Sequence, residues 1–364
     1  MNNTPIPGAP ASSGPRKSGS YSAILVVATL LIAAGAYYVY MVRSEGNIPA
    51  ADTLGGLRPL VAELAKSRTM DPRYKDADGD LIADAPTEAG KLRDPSELRF
   101  VGIPTDFASD PEKGKVVWKD LLDHVAKATG KTVVFAEDVK AVDGQLAGLR
   151  NGTLQITAFG TGQVPGAVNT AGFVPLVCPA DNSGSFHYEM EILVRSDSPT
   201  RSPKDLAGKE IAFSALSSNS GSRAPMVLLE SEFQMLPGRD YHFVFTGDQL
   251  KSLQLLATGR FDAICVANDF YRRMLDDPAN KLKSEQFRSI YKSKSFPPLC
   301  FGAAYDLTPE LRSKIESALK SFSIAGSSVG TKLNEAKFSP VSYKLDWAFV
   351  RDVDEAFRRL PDTK

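Results

Sequence analysis

The residues best suited to chemistry fall in one loop, Ser217-Ser218-Asn219-Ser220-Gly221-Ser222-Arg223-Ala224-Pro225, directly ahead of an apolar helical stretch. A helix start carries unpaired N–H groups and partial positive charge, so it attracts anions. Small hydroxyl side chains add donors there without covering the backbone, and Gly221 permits a tight bend. A tetrahedral oxyanion suits such a cradle. The same residues also read as a Ser-rich N-cap that serves only its own helix. Arg223 is either a contributor or a solvent-facing charge.

A second cluster is Asp76-Ala77-Asp78-Gly79-Asp80, with Asp84 beyond it. Alternating carboxylates around a glycine bend suit Ca²⁺, which takes oxygen ligands from a flexible loop. The spacing matches short D-x-D-G-D loops better than a full EF-hand, whose glycine and closing glutamate stand elsewhere. Asp76, Asp78, Asp80 and Asp84 are therefore candidate ligands of a structural calcium; a plain acidic turn is the other reading. No other cofactor is required.

Nucleophilic catalysis has no local support. No serine sits in a G-x-S-x-G elbow, and neither a G-x-G-x-x-G nor a Walker loop occurs. Of the three histidines, His124 and His242 fall in a helix and a strand, where a structural role is expected, whereas His187 lies in a Gly/Ser/Asn-rich loop that could border a cleft. The chain is read as not an enzyme.

The 364 residues are 43% apolar and 24% charged, with 43 basic and 43 acidic side chains. That balance is ordinary for a folded protein and leaves no basic footprint for nucleic acid. Cys178, Cys265 and Cys300 lack metal-ligand spacing. Either Cys178 and Cys300 form a disulfide, or all three are buried thiols. Residues 1–20 are polar and carry Arg16 and Lys17, and residues 21–42 are an apolar run long enough to span a bilayer. The preceding basic residues put the N-terminus in the cytoplasm and the remainder outside. Small residues at Ala34-Gly35-Ala36 keep a cleavable signal peptide as the competing reading, but the apolar run continues past them. The expectation is a single-pass anchor in the cytoplasmic membrane with the body in the periplasm or cell exterior.

Residues 43–97 read as a tether, with a short amphipathic helix at 54–66. From residue 98, strands alternate with helices, as in an α/β fold. Strands are expected at 98–103, 132–135 and 154–159, with helices at 112–129 and 143–149 between them. The order recurs with strands at 210–214, 241–245 and 261–267 and helices at 222–235 and 248–257. Leu149–Ala158 (LRNGTLQITA) and Leu256–Cys265 (LATGRFDAIC) show the same helix, glycine stop and strand. Two similar lobes follow. Strands at 191–195 and 299–304 would carry the chain from lobe to lobe, followed by a helix at 309–324. Lobe 1 would comprise residues 98–192 and 299–364, and lobe 2 residues 193–298. Two crossovers make a hinge, and the cleft between the lobes is the default ligand site.

Residues Pro203–Pro225 (PKDLAGKEIAFSALSSNSGSRAP) resemble the phosphate/phosphonate/phosphite-binding proteins of ABC transporters, which have the type 2 periplasmic-binding-protein fold. Asp205, Leu206, Gly208 and Lys209 match the family's D-L-x-G-K stretch; Ser218, Ser220, Gly221 and Pro225 match its S-T-S-G loop and following proline. Gly259–Ala263 is similar to its G-x-V-D-A element, and Pro309–Leu311 to its P-E-L. The resemblance, from about residue 98 to 357, implies capture of a phosphorus oxyanion for an ABC permease. It implies oxygen ligation by Ser218 and Ser220, with N–H donors near Gly221 and Ser222. Asn219 stands where the family has threonine, and Gly247-Asp248-Gln249 lacks the family's histidine. Gln249 can still donate, whereas Asp248 would repel an anion unless the ligand is protonated or carries an amine. Asp269 could pair with an aminophosphonate's ammonium. Thr161 and Gln163, in the loop after a strand's carboxyl end, are expected contacts from the first lobe. The alternative role is a membrane-tethered sensor that uses the same cleft to signal to a partner protein.

Overall fold

A computed structural model describes residues 61, 69–103, 106, 107 and 109–360. The N-terminal segment 1–20, the apolar run 21–42 and nearly all of the expected helix 54–66 lie outside the described residues. Among the described residues, no helix is long and apolar enough to cross a membrane.

The first repeat runs β1 (Glu97–Val101), α1 (Pro111–Thr129), β2 (Thr132–Phe135), α2 (Val142–Asn151) and β3 (Ile156–Phe159). It continues through α3 (Val164–Ala171) to β4 (Phe173–Ala180). After β5 (Tyr188–Arg195) the second repeat runs β6 (Glu210–Phe213), α4 (Ala224–Phe233), β7 (His242–Phe245), α5 (Gln249–Ala257) and β8 (Ala263–Ala267). Next come α6 (Asn268–Asp276), β9 (Phe287–Phe296), β10 (Cys300–Ala304), α7 (Pro309–Ser321), β11 (Lys337–Pro340) and α8 (Ala348–Arg359).

The six-stranded sheet has the order β11-β4-β10-β3-β1-β2, and the five-stranded sheet β7-β6-β8-β5-β9. In each, the first strand of a repeat sits between the other two and pairs parallel with both. Beside the last strand of each repeat comes an antiparallel strand from outside it. β10 enters between β3 and β4, and β5 enters between β8 and β9. The two sheets thus share one plan and exchange a strand. β5 joins the five-stranded sheet along its whole length, from Tyr188, and β10 returns the chain to the six-stranded one.

Local sequence explains why the elements stop where they do. Asp110 caps α1 through the N–H of Lys113, and Gly130 ends that helix in the left-handed region at φ 71°. Leu121, Leu122 and Val125 face inward, and Trp118 packs edge-on against Phe100 at 5.1 Å and Phe301 at 5.8 Å. The first half of α4 has apolar side chains all round (Met226, Val227, Leu228 and Leu229 are buried), as expected of a segment covered on both sides. The five-stranded sheet and α8 supply that cover.

Residues 69–97 are not a free strand of chain. Asp71 N–H donates to the Asn169 carbonyl at 2.8 Å, Tyr74 packs edge-on against Tyr305, and Arg93 pairs with Asp306. All three cysteines are buried and free. Cys178 and Cys300 adjoin across β4 and β10 as thiols, so of the two readings the structure has the buried thiols and not the disulfide. Burial pushes the Cys178 thiol well up, and Cys300 beside it adds to the effect, so the reactive thiolate is suppressed.

Candidate ligand-binding site

The carboxyl ends of the parallel strands converge from both sheets on one cavity of about 350 Å³. β3 delivers Gly160–Gln163, β6 delivers Ser214 and Ser217–Ser220, β7 delivers Gly247–Gln249, and β8 delivers Ala267 and Asp269. This is where open α/β sheets bind ligands, because loops there can approach without disturbing the strands. Of the expected contacts, Thr161, Gln163, Ser218, Asn219, Ser220, Gln249 and Asp269 all line the cavity. Gly221 and Ser222 do not; they lie just behind its wall.

The loop after β6 closes into one π-helical turn, Asn219–Arg223, which runs straight into α4. Ser218 is its N-cap: Oγ accepts the Gly221 N–H at 3.1 Å, and the backbone carbonyl accepts the Arg223 N–H. The Gly221 N–H is therefore already used, and the Ser222 hydroxyl donates to the Ala215 carbonyl at 2.8 Å. A helix start leaves its other first-turn N–H groups unpaired, so Asn219 and Ser220 are the backbone donors nearest the cavity. Gly221 is required sterically, because a Cβ there would collide with the Ser214 side chain. Gln249, at the start of α5, directs Nε2 to Ser218 Oγ (3.4 Å) and Ser220 Oγ (3.3 Å), while its carbonyl accepts the Ala267 N–H. Asp248 caps α5, accepting the Lys251 N–H at 2.7 Å, so its charge is turned onto a helix N-terminus.

Three polar atoms here are buried without a hydrogen-bond partner: Ser214 Oγ, Asn219 Oδ1 and Asp269 Oδ1. The other Asp269 oxygen pairs with Arg273 Nη1 at 2.9 Å, which binds the one cation among the cavity's lining residues. An unpaired buried polar group costs about 1–3 kcal/mol, so such a cavity favours a partner that satisfies all of them.

Sequence reasoning missed Tyr188 and Ser214. Tyr188 stands at the lobe junction, where its hydroxyl accepts from Asn219 Nδ2 of the second lobe at 3.1 Å, with Thr161 of the first lobe and Ser220 of the second beside it. Burial pushes its phenol up against the pull of those neighbours, so it stays neutral. Its place at the start of a strand leading out of a Gly/Ser/Asn-rich loop was the available signal. The adjacent His187 is exposed, stacks on Phe186 at 4.9 Å and borders a neighbouring cavity instead. Arg223 is buried, not solvent-facing, and pairs with Asp354 on α8 at 2.7 Å.

In the acidic loop, carboxylate oxygens of Asp76, Asp78 and Asp80 lie within 4.8 Å of one another. Asp84 stands outside that group and accepts the Ala77 N–H at 2.7 Å. Burial, with Asp78, Asp76 and Asp84 nearby, raises the Asp80 carboxyl despite its hydrogen bond from Ile82.

Two similar α/β lobes exchanging strands around a polar cleft define a bilobal solute-binding protein. Residues 107–347 match the family model described as "ABC transporter, phosphonate, periplasmic substrate-binding protein", and the chain belongs to that family. The fold is that of a binding-protein component of an ABC phosphonate transporter from Pseudomonas aeruginosa, at 19% identity and TM-score 0.58, covering 73% of this chain and 88% of that one. PhnD1 of Prochlorococcus marinus, solved with methylphosphonate, is similar at 15% identity and TM-score 0.57, covering 72% and 98%. A Xanthomonas citri protein solved with chloride gives 18% identity and TM-score 0.57, covering 74% and 99%. No curated protein matches the sequence. The family comprises solute-binding components of transporters, not enzymes.

Proposed function

We propose that this chain captures a phosphorus oxyanion (phosphonate, phosphate or phosphite) in the interlobe cleft and delivers it to an ABC permease. The observation that carries the reading is the convergence of the Ser218, Ser220 and Gln249 side chains on one cavity wall, with Ser214 Oγ buried and unpartnered in the same cavity. Titration calorimetry of the purified protein with phosphate, methylphosphonate, 2-aminoethylphosphonate, phosphite and sulfate tests it. Saturable binding of one phosphorus oxyanion supports the reading, and silence across the panel defeats it.

The unpartnered acceptor on Asp269 favours a ligand that brings its own donor. Asp269→Asn is therefore expected to weaken 2-aminoethylphosphonate at least tenfold while leaving methylphosphonate within about threefold, at 1.5–3 kcal/mol for a hydrogen bond to a charged group. Equal loss for both would remove the ammonium assignment.

The convergence of Asp76, Asp78 and Asp80 supports a structural Ca²⁺ in the segment before the first lobe. Calcium is expected to raise the melting temperature, EGTA to reverse it, and Asp78→Ala to abolish the shift. A wild-type melting curve that ignores calcium speaks for a plain acidic turn. The apolar run at residues 21–42 supports an uncleaved anchor holding the body outside the cytoplasm. Intact mass from a membrane fraction checks this, and a mass lacking the run means cleavage.

A further inference from the structure

Arg223 ends the π turn that begins just after Ser218, and it faces away from the cavity. Its guanidinium makes three contacts at once. Nε donates to the Leu216 carbonyl of its own loop at 3.0 Å, and Nη1 donates to the Gly162 carbonyl at 2.9 Å and to Asp354 Oδ1 at 2.7 Å. Leu216 belongs to the second lobe, Gly162 to the first-lobe loop that lines the cleft, and Asp354 to α8. The ion pair is almost fully buried, at 5% and 8% side-chain exposure.

The surroundings fit a joint between moving parts. α8 follows β11 of the six-stranded sheet yet packs on α4 and on the π turn of the other lobe. Trp347, just before α8, donates to the Thr161 carbonyl at 3.1 Å, one residue from Gly162. Gly162 lies so close to the opposite lobe that a Cβ would sit 2.7 Å from the Ser217 carbonyl oxygen and 3.1 Å from the Asn219 nitrogen. The cleft loops are thus pinned together from behind, by a side chain that makes no use of the cavity.

We infer that Arg223 is a positioning residue, which with Asp354 latches the two cleft loops together and so sets the oxyanion affinity of Ser218 and Ser220. The affinity part rests on the oxyanion reading above; the latch itself does not. A lone charge left by a single substitution would confuse folding with closure. The test is therefore the double variant Arg223→Met/Asp354→Leu, which removes both charges and keeps the bulk, since apolar replacement of a buried pair is often tolerated. Spin labels at Ala128→Cys on α1 and Thr258→Cys after α5, both exposed, report the distance between lobes without ligand.

The expected result is a folded double variant whose ligand-free lobes stand farther apart than wild type, with methylphosphonate or phosphate affinity at least tenfold lower. An additional Gly162→Ala variant, with the ion pair intact, should open the lobes in the same way. Wild-type distances in the double variant overturn the latch, whatever Gly162→Ala does. If wild type binds no oxyanion, the functional reading fails while the distance measurement still decides the latch.

Discussion

Changing Ser218 and Ser220 together to alanine is expected to weaken oxyanion binding about a hundredfold or more, and each single change about tenfold. A hydrogen bond to a charged group contributes about 1.5–3 kcal/mol, and 1.4 kcal/mol is a factor of ten. Neighbouring contributions do not add simply, so the double variant tests coupling as well as magnitude. Both hydroxyls are within reach of Gln249 Nε2, at 3.4 and 3.3 Å, so one amide braces both. Ser218 carries a further duty as the cap of the π turn, and its loss should cost about 1 kcal/mol of stability that Ser220→Ala does not. Calorimetry measures the affinities and thermal melting separates out the cap. Unchanged affinity in the double variant would take the helix start out of the binding site.

Removing Arg223 alone should have the largest effect on stability. Arg223→Ala strands the Asp354 carboxylate at 8% exposure and leaves the Leu216 and Gly162 carbonyls without their donor. Breaking a buried pair from one side costs about 3–5 kcal/mol, because the remaining charge has neither partner nor water. With an unfolding entropy of about 2.1 cal/mol/K per residue, a folded part of about 290 residues shifts by roughly 1.6 °C per kcal/mol, so melting should fall by roughly 5–8 °C. Scanning calorimetry reads this directly. A fall under about 3 °C would mean that water reaches Asp354 and that the pair contributes little.

Much of the architecture was legible because it is local. Two runs of strand, helix, strand, helix and strand follow one another, with a glycine at or just past the end of three of the four helices, and the structure gives both the same strand order. The Ser218–Ser220 loop was legible for the same reason: capping residues, a glycine and a proline stand within nine positions. What escaped depends on distant contacts. β4 carries Pro175 and Pro179, which argue against a central strand, yet it is fully buried. Pro175 stands opposite the register irregularity at Phe301/Gly302, where a ladder donor is dispensable. β9 carries charge along its length and forms a sheet edge, so its pattern is weak. Arg223 and Asp354 are 131 residues apart, and nothing near either announces the other. Tyr188 and Thr161 meet only because β5 crosses between the lobes.

The exchanged strands also dictate an order of assembly. As the chain emerges, β3 and β4 are made early, but the slot between them stays empty until β10, some 120 residues after β4, is complete. The five-stranded sheet has no such wait, since β5 precedes the rest of its strands. The later-made lobe can therefore close first, and the earlier-made lobe must hold two unpaired strand edges open meanwhile. Unpaired edges are templates for wrong pairing. A chain cut short before residue 300 would keep those edges for good, so truncation there should yield an aggregating product rather than a half-sized binding protein.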